Sequence, residues 1–290
     1  MKPARFEYHV PTSVEEAIEL LAAFGDDAKV LAGGQSLVPM LALRLTRFDH
    51  LVDLNRIPTL QFISRGGEWL SIGAMTRQAA AEHDELVAES VPLLAKAIPH
   101  IGHFQIRNRG TVGGSIAHAD PASELPVVAL ALDAEIEVLG PAGMRRVPAA
   151  EFFLSMWETA TTSEEIVAAV HFPVAPGHAG FGFEEMALRI GDFALTGAAC
   201  AVTLAASGAI ERAAIGLMGM DATPVRAREA EAALVGASPD LDDLNEIATI
   251  AVAATNPTDD VHASARYRSQ VGAVMVARAL RSAVEEATRG

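Results

Sequence analysis

Hydrophobic positions recur along the chain with two periods, and the changes from one period to the other outline its elements. Val14, Ala17, Ile18 and Leu21 fall on one helical face. Thr12 and Ser13 precede them as caps, with Glu15 and Glu16 three residues on from each, and Gly25 ends the helix. Lys29–Ala32 is a short apolar strand that runs into the loop Gly33-Gly34-Gln35-Ser36. Leu37–Leu45 reads as a helix interrupted early by Pro39, and His50–Leu54 and Glu68–Ile72 read as strands. Thr76 starts a helix that the pattern carries to about Glu89. After the glycine-rich polar stretch Arg107–Ser115 the spacing predicts a helix over Pro121–Leu132. An alternating strand follows over Ala134–Leu139, and another over Glu165–Phe172 is ended by Pro173.

The stretch Pro173–Gly182, with its prolines and glycines, reads as a linker between domains. Beyond it, Ala198–Ala206 and Ala209–Met218 are two strands joined by the hairpin signal Ser207-Gly208. Helices are expected over Val225–Val235, Leu241–Thr255 and Ala265–Ala287. The chain therefore reads as a mixed α+β N-terminal part, residues 1–176, followed by a C-terminal part, 177–290, of a small antiparallel sheet and then helices.

Composition narrows the function. A chain of 290 residues that is 50% hydrophobic can bury a large core or two to three small ones. A net charge of -15 repels phosphate backbones, so nucleic acid is not an expected partner. The one cysteine, Cys200, forms no internal disulfide and cannot supply the ligands of an iron–sulfur cluster; in an apolar strand it reads as a buried, inert thiol. Residues Met1–Val10 carry Lys2 and Arg5 but no apolar core, so no secretory signal is read there, and the cytoplasm is the expected location. The weakly apolar run Phe193–Ile210 reaches the lower length limit of a membrane span. It is rich in Ala, Gly, Thr and Ser and reads instead as a strand entering a turn.

The chemistry concentrates in two glycine pairs, Ala32-Gly33-Gly34-Gln35-Ser36 after a strand and Thr111-Val112-Gly113-Gly114-Ser115 before a helix. Paired glycines permit positive φ, and consecutive N–H groups can form a nest around a phosphate. Ser36, Thr111 and Ser115 add hydroxyl donors, and two nests suit the two phosphates of a dinucleotide. Neither pair fits the Walker pattern or GxGxxG, which disfavours ATP and NAD bound in their usual folds. Ser115, His118 and Asp120 lie too close in sequence for a hydrolase triad, and no nucleophile elbow is present. His100 with His103, and His118 with Asp120, lack a companion ligand cluster, so no metal site is expected. Arg107 and Arg109 either bind an anion beside the second pair, serve a positioning role, or are simply exposed at the surface.

Lys29-Val30-Leu31-Ala32-Gly33-Gly34-Gln35-Ser36-Leu37 resembles the first FAD pyrophosphate loop of the medium subunits of molybdenum hydroxylases, the family of the carbon monoxide dehydrogenase medium chain and the xanthine dehydrogenase flavin domain. Arg107–Glu124 resembles the second loop almost position for position. Ile72–Thr76, Thr223–Ala227 and Tyr267-Arg268 also fit, so the resemblance spans nearly the whole chain. It implies an α+β, two-subdomain FAD-binding domain of the PCMH type (subdomains about 1–55 and 56–176), followed by a C-terminal domain of antiparallel sheet plus helix bundle. It assigns Lys29–Ser36 and Thr111–Ser115 to the cofactor. Glu124 is assigned to a hydroxyl-bearing part of it, and Ile101 and the strand at Ile166-Val167 to the neighbourhood of the flavin ring. Gly191-Asp192-Phe193 matches a motif whose aromatic covers that ring. Some relatives carry tyrosine there, and Phe193 offers no phenol.

The implied function is electron relay. A large partner subunit would carry the molybdenum cofactor and a small one two [2Fe–2S] clusters, and this chain would hold FAD and deliver electrons to an external acceptor. A heterotrimer doubled to a heterohexamer is the implied assembly. A stand-alone FAD-dependent oxidoreductase and a non-redox scaffold that keeps the fold are the competing readings.

Overall fold

The computed structural model of the chain describes residues 2–238 and 244–289. Its N-terminal layer alternates strand and helix: β1 (Glu7–His9), α1 (Val14–Phe24), β2 (Ala28–Leu31), α2 (Leu37–Leu43) and β3 (His50–Asp53). The strands are parallel in the order β1-β3-β2. α1 forms as its pattern predicts. The Ser13 hydroxyl accepts from the Glu16 N–H, the Thr12 N–H donates to the Glu16 carboxylate at 2.7 Å, and Gly25 ends the helix at φ 53°. Its buried residues, Ala17 and Leu21, pack with Val52, Leu54 and Ile57.

The second layer holds β4 (Ile63–Gly66), β5 (Trp69–Gly73), α3 (Gln78–Glu82), α4 (Glu85–Ser90), α5 (Pro92–Ala97), α6 (Phe104–Arg107), α7 (Val112–His118), α8 (Glu124–Ala131), β6 (Glu135–Gly140), β7 (Gly143–Pro148), α9 (Ala149–Phe152), β8 (Phe153–Ser155), β9 (Glu158–Thr159) and β10 (Ile166–Pro173). Five of these strands form an antiparallel sheet ordered β4-β5-β10-β6-β7. β10 lies at its centre, buried on both faces. Ile166 and Ala168 enter the core of the first layer, while Val167, Val170 and Phe172 enter that of the second. The register shifts between Val167 and Ala169, a bulge that re-aims the strand where it enters the sheet.

The C-terminal part comprises β11 (Ala179–Ala187), β12 (Ala194–Leu204), β13 (Ile210–Met218), β14 (Val225–Arg226), α10 (Arg228–Leu234), α11 (Leu244–Ala253) and α12 (Ala265–Arg289). The four strands form one antiparallel sheet in chain order. The expected hairpin turn is present, with Gly208 at φ 84°. The run from Phe193 is strand, and among the described residues no helix is long and apolar enough to cross a membrane.

Three sequence expectations change, and a fourth is described only in part. The helix expected from Thr76 to Glu89 is two short ones, because Asp84 caps a new start by accepting from the Val87 N–H. Val225-Arg226 pair with β13 before α10 begins. Residues 241–243 of the helix expected from Leu241 lie outside the described residues; its visible part is α11. The expected linker is largely strand. Gly180 and Gly182 lie in β11, where α12 presses on them: an added Cβ would lie 2.0 Å from the Ala283 carbonyl oxygen at Gly180, and 1.9 Å from that of Ala279 at Gly182. These glycines allow backbone contact between helix and strand rather than flexibility.

Gly182→Ala is therefore expected to cost about 2–3 kcal/mol by forcing α12 off the sheet. A thermal or urea melt reads this out, and an unchanged midpoint would contradict the backbone contact.

Candidate functional site

The two glycine pairs meet across one cleft of about 640 Å³. The first pair lies on the turn after β2. Gly34 takes φ 72°, and among the described residues the N–H groups of Gly33, Gly34, Gln35 and Ser36 donate to nothing. Four consecutive free donors at the edge of a cleft are what a phosphate nest requires.

The second pair differs from expectation. Thr111 caps α7, and Gly113-Gly114 form its first turn rather than a loop. Their N–H groups are already used: Val112 donates to the Thr76 carbonyl at 3.0 Å, Gly113 to the Ala74 carbonyl at 2.9 Å, and Gly114 to the Thr111 hydroxyl at 3.0 Å. The glycines serve close packing instead. A Cβ on Gly113 would sit 2.3 Å from that of Ala74. One on Gly114 would sit 2.6 Å from Thr111 Oγ1 and 3.3 Å from the Ala32 Cβ. On the opposite side, a Cβ on Gly33 would sit 2.3 Å from the Arg109 carbonyl oxygen.

Side chains fasten the two segments together. Asn55 donates to the Ala32 carbonyl at 2.9 Å, and Arg77 bridges the Asn55 side chain at 2.6 Å to the Arg109 carbonyl at 2.5 Å. Asn55 is oriented by the buried Asp53, which also accepts from the Tyr8 hydroxyl. Arg77 and Thr111 pair as a single antiparallel bridge. Arg107 is a positioning residue: it pairs with Glu82 at 2.7 Å and donates to the carbonyls of Pro99, Ile101 and Gly102, holding the turn that carries Ile101. Arg109 is exposed, and its backbone makes the contact.

Lys29, Val30, Ala32, Gly33, Gly34, Gln35, Ser36, Ile101, Thr111, Gly113, Gly114, Ser115, Glu124, Val167, Asp192 and Phe193 all line the cleft. Leu31 and Val112 do not. Leu31 closes the back of the Gly34 turn, and Val112 is fully buried in the core. Phe193 is 66% exposed, standing at the rim beside Gly191, whose positive φ seats it against the His103 ring. Sequence reasoning missed the wall formed by Trp157, Glu158, Thr159, Thr161, Thr162 and Ser163. Its signal was the run of hydroxyl residues ahead of β10.

Ser115 makes no hydrogen bond to His118, and His118 Nε2 lies 3.9 Å from Asp120, so no triad is assembled. Cys200 is fully buried and its thiol pKa is pushed up by burial, in line with an inert thiol. Lys29 opens onto the cleft, and the surrounding protein lowers its pKa. Glu124, the first residue of α8, is buried, which pushes its carboxyl up to about 7. Glu185 on β11 is pushed up to about 8 by burial and then by Glu124, and its Oε2 has no hydrogen-bond partner. His100 lies 3.8 Å away, and its own pKa is lowered by burial.

The fold is shared with known proteins. Residues 4–175 match the family model described as FAD binding domain in molybdopterin dehydrogenase, and residues 181–283 match CO dehydrogenase flavoprotein C-terminal domain. The chain belongs to this flavoprotein family. It is 44% identical to 6-hydroxypseudooxynicotine dehydrogenase complex subunit alpha of Paenarthrobacter nicotinovorans, over 99% of this chain and 97% of that one. It is 38% identical to the carbon monoxide dehydrogenase medium chain of Hydrogenophaga pseudoflava, over 98% of each. A solved carbon monoxide dehydrogenase from the same organism superposes with a TM-score of 0.96 at 39% identity, covering 99% of both chains. The fold is thus an FAD-binding domain followed by a CO dehydrogenase-type C-terminal domain, the cofactor is FAD, and the chain is of the medium-subunit type of molybdenum hydroxylases, an oxidoreductase component.

The raised carboxyls carry a pH prediction. The folded chain holds protons on Glu124 and Glu185 that the unfolded chain releases near pH 4.5. Their contribution is full below that value and is lost as pH rises to about 8. Glu185→Gln removes the larger share, so the variant is expected to gain on the order of 3 kcal/mol over the parent at pH 8 and little at pH 5. Melts at both pH values test this; an equal difference at both would contradict a buried proton at Glu185.

Proposed function

We propose that residues 1–176 hold FAD in this cleft and that the chain relays electrons within a molybdenum hydroxylase, from [2Fe–2S] clusters on a small partner subunit to an external acceptor, while a large partner carries the molybdenum cofactor. The observation that carries the reading is the row of four free N–H groups at Gly33–Ser36, set across one cleft from the Gly113-Gly114 helix start. A pyrophosphate fits such a row. When bound, FAD accepts electrons singly and releases them as a pair.

The roles of the chain's own residues follow from their places. Gly33 to Ser36 donate to phosphate oxygens, with Lys29 adding positive charge on the same side. Thr111, Gly113, Gly114 and Ser115 present a flat surface against which the diphosphate lies. Leu31 and Val112 hold the two segments from behind. Glu124, whose carboxyl is pushed up to about 7, donates or accepts toward a hydroxyl. Ile101, Val167 and Phe193 exclude water from the ring, and Asp192 sets the loop that carries Phe193. The single buried cysteine supports partners that carry the clusters. Medium-subunit relatives serve complexes named for carbon monoxide and glyceraldehyde, which supports substrate choice on the large partner. A heterotrimer doubled to a heterohexamer in the cytoplasm is the assembly proposed.

The test is an absorption spectrum of the purified chain with whatever accompanies it, followed by acid release of the chromophore. FAD with [2Fe–2S] features and two further polypeptides is expected. A colourless chain that binds no added FAD, even with its partners present, would favour a scaffold. Gly33→Val, which pushes the first segment off Arg109, is expected to lower FAD content by about tenfold or more at unchanged helix content by circular dichroism. Full FAD content in that variant would sink the loop assignment.

A further inference from the structure

The N-terminal sheet gathers three metal-ligating side chains that the flavin cleft does not use. β1 and β3 are parallel neighbours, and Glu7 pairs in register with His50. His9, two residues along β1, points to the same face as Glu7, while Tyr8 turns to the other and bonds Asp53. His9 Nε2 lies 3.1 Å from His50 Nδ1, and the Glu7 carboxylate lies 3.7 Å from that same nitrogen. All three ligand atoms lie within 4.8 Å of one another. None of the three residues lines the flavin cleft.

The spacing suits a metal. Two imidazole nitrogens bound tetrahedrally to one zinc ion at about 2.0–2.1 Å stand about 3.3 Å apart, so the pair needs only a slight opening to admit the ion. The ring of Phe24 stacks on His50 at 3.7 Å between centroids and lies 5.0 Å from His9, which fixes both imidazoles in place. Glu7 is largely exposed while His50 is mostly covered, so the site is apolar behind and open in front. Two imidazoles and a carboxylate suit zinc, nickel or copper and not magnesium or calcium, and the open side leaves a fourth position for water.

We propose that Glu7, His9 and His50 bind a divalent transition ion, zinc foremost, and that the ion lashes the short edge strand β1 to β3. Binding to the folded state alone would raise the melting temperature with the logarithm of the zinc concentration once that concentration exceeds the dissociation constant. The competing arrangement is a plain hydrogen bond between the two histidines, which takes up no metal.

The experiment is calorimetric titration of zinc chloride into the metal-free full-length chain, together with His9→Ala and Glu7→Gln. Glu7→Gln alters an exposed side chain, so it leaves the fold intact. One zinc per chain is expected, with affinity reduced about tenfold or more by His9→Ala and to a smaller degree by Glu7→Gln. Cobalt substitution is expected to give the visible bands of a four-coordinate ion in the parent and to lose them in His9→Ala. FAD content should be the same in all three proteins. Absence of stoichiometric zinc uptake, or uptake by both variants with the parent's undiminished affinity, would overturn the site.

Discussion

The flavin side of this molecule depends on one backbone contact. Gly33 lies so close to the Arg109 carbonyl and Gly110 that no side chain fits between them. That contact brings together two segments distant in sequence, and the Asn55–Arg77 bridge holds them in place. It also divides the work between the glycine pairs. The first, with Gly34 at positive φ, leaves a row of N–H groups open to the cleft. The second spends its donors on Thr76, Ala74 and Thr111 and gives a dense wall. Donors held this way are fixed before any ligand arrives, so little ordering cost would fall on binding.

β10 makes the rest of the molecule follow from that contact. Its residues alternate between two cores, so the parallel N-terminal layer and the five-stranded sheet cannot shift independently. The same second core takes in Phe181, Phe183, Ala199 and Met218 from the C-terminal sheet. The family-like tail segments act as braces in this scheme. Arg226 reaches the Leu130 carbonyl at 2.8 Å at the end of α8, and Arg268 reaches the Leu195 carbonyl. The C-terminal part is thereby fixed to the helix whose first residue is Glu124, and it supplies Gly191, Asp192 and Phe193 to the cleft.

The helices with a clear apolar stripe and a cap, such as α1, were legible from sequence, as was the hairpin at Ser207-Gly208. The cofactor was legible too, because both glycine segments keep a family pattern. Their physical roles were not. A Gly-Gly pair looks alike whether it supplies positive φ, as Gly34 does, or close packing, as Gly113 does, and only the neighbours across the contact decide. The glycines of β11 misled for the same reason: their partner is α12, about a hundred residues later. Leu31 and Val112 belong to the motif but turn away from the cleft. The wall from Trp157 to Ser163 carries only a run of hydroxyl residues, a pattern common in loops that bind nothing. The Glu7–His9–His50 group depends on the register of two parallel strands, which local sequence does not state.

Amide hydrogen exchange at single-residue resolution, with and without FAD, tests the division of work most directly. The amides of Gly33, Gly34, Gln35 and Ser36 should exchange fast in the free chain and become protected on FAD binding. Those of Val112, Gly113 and Gly114 should be protected already and change little. Protection gained at the second pair, with Gly33–Ser36 still exchanging fast in the complex, would contradict the account.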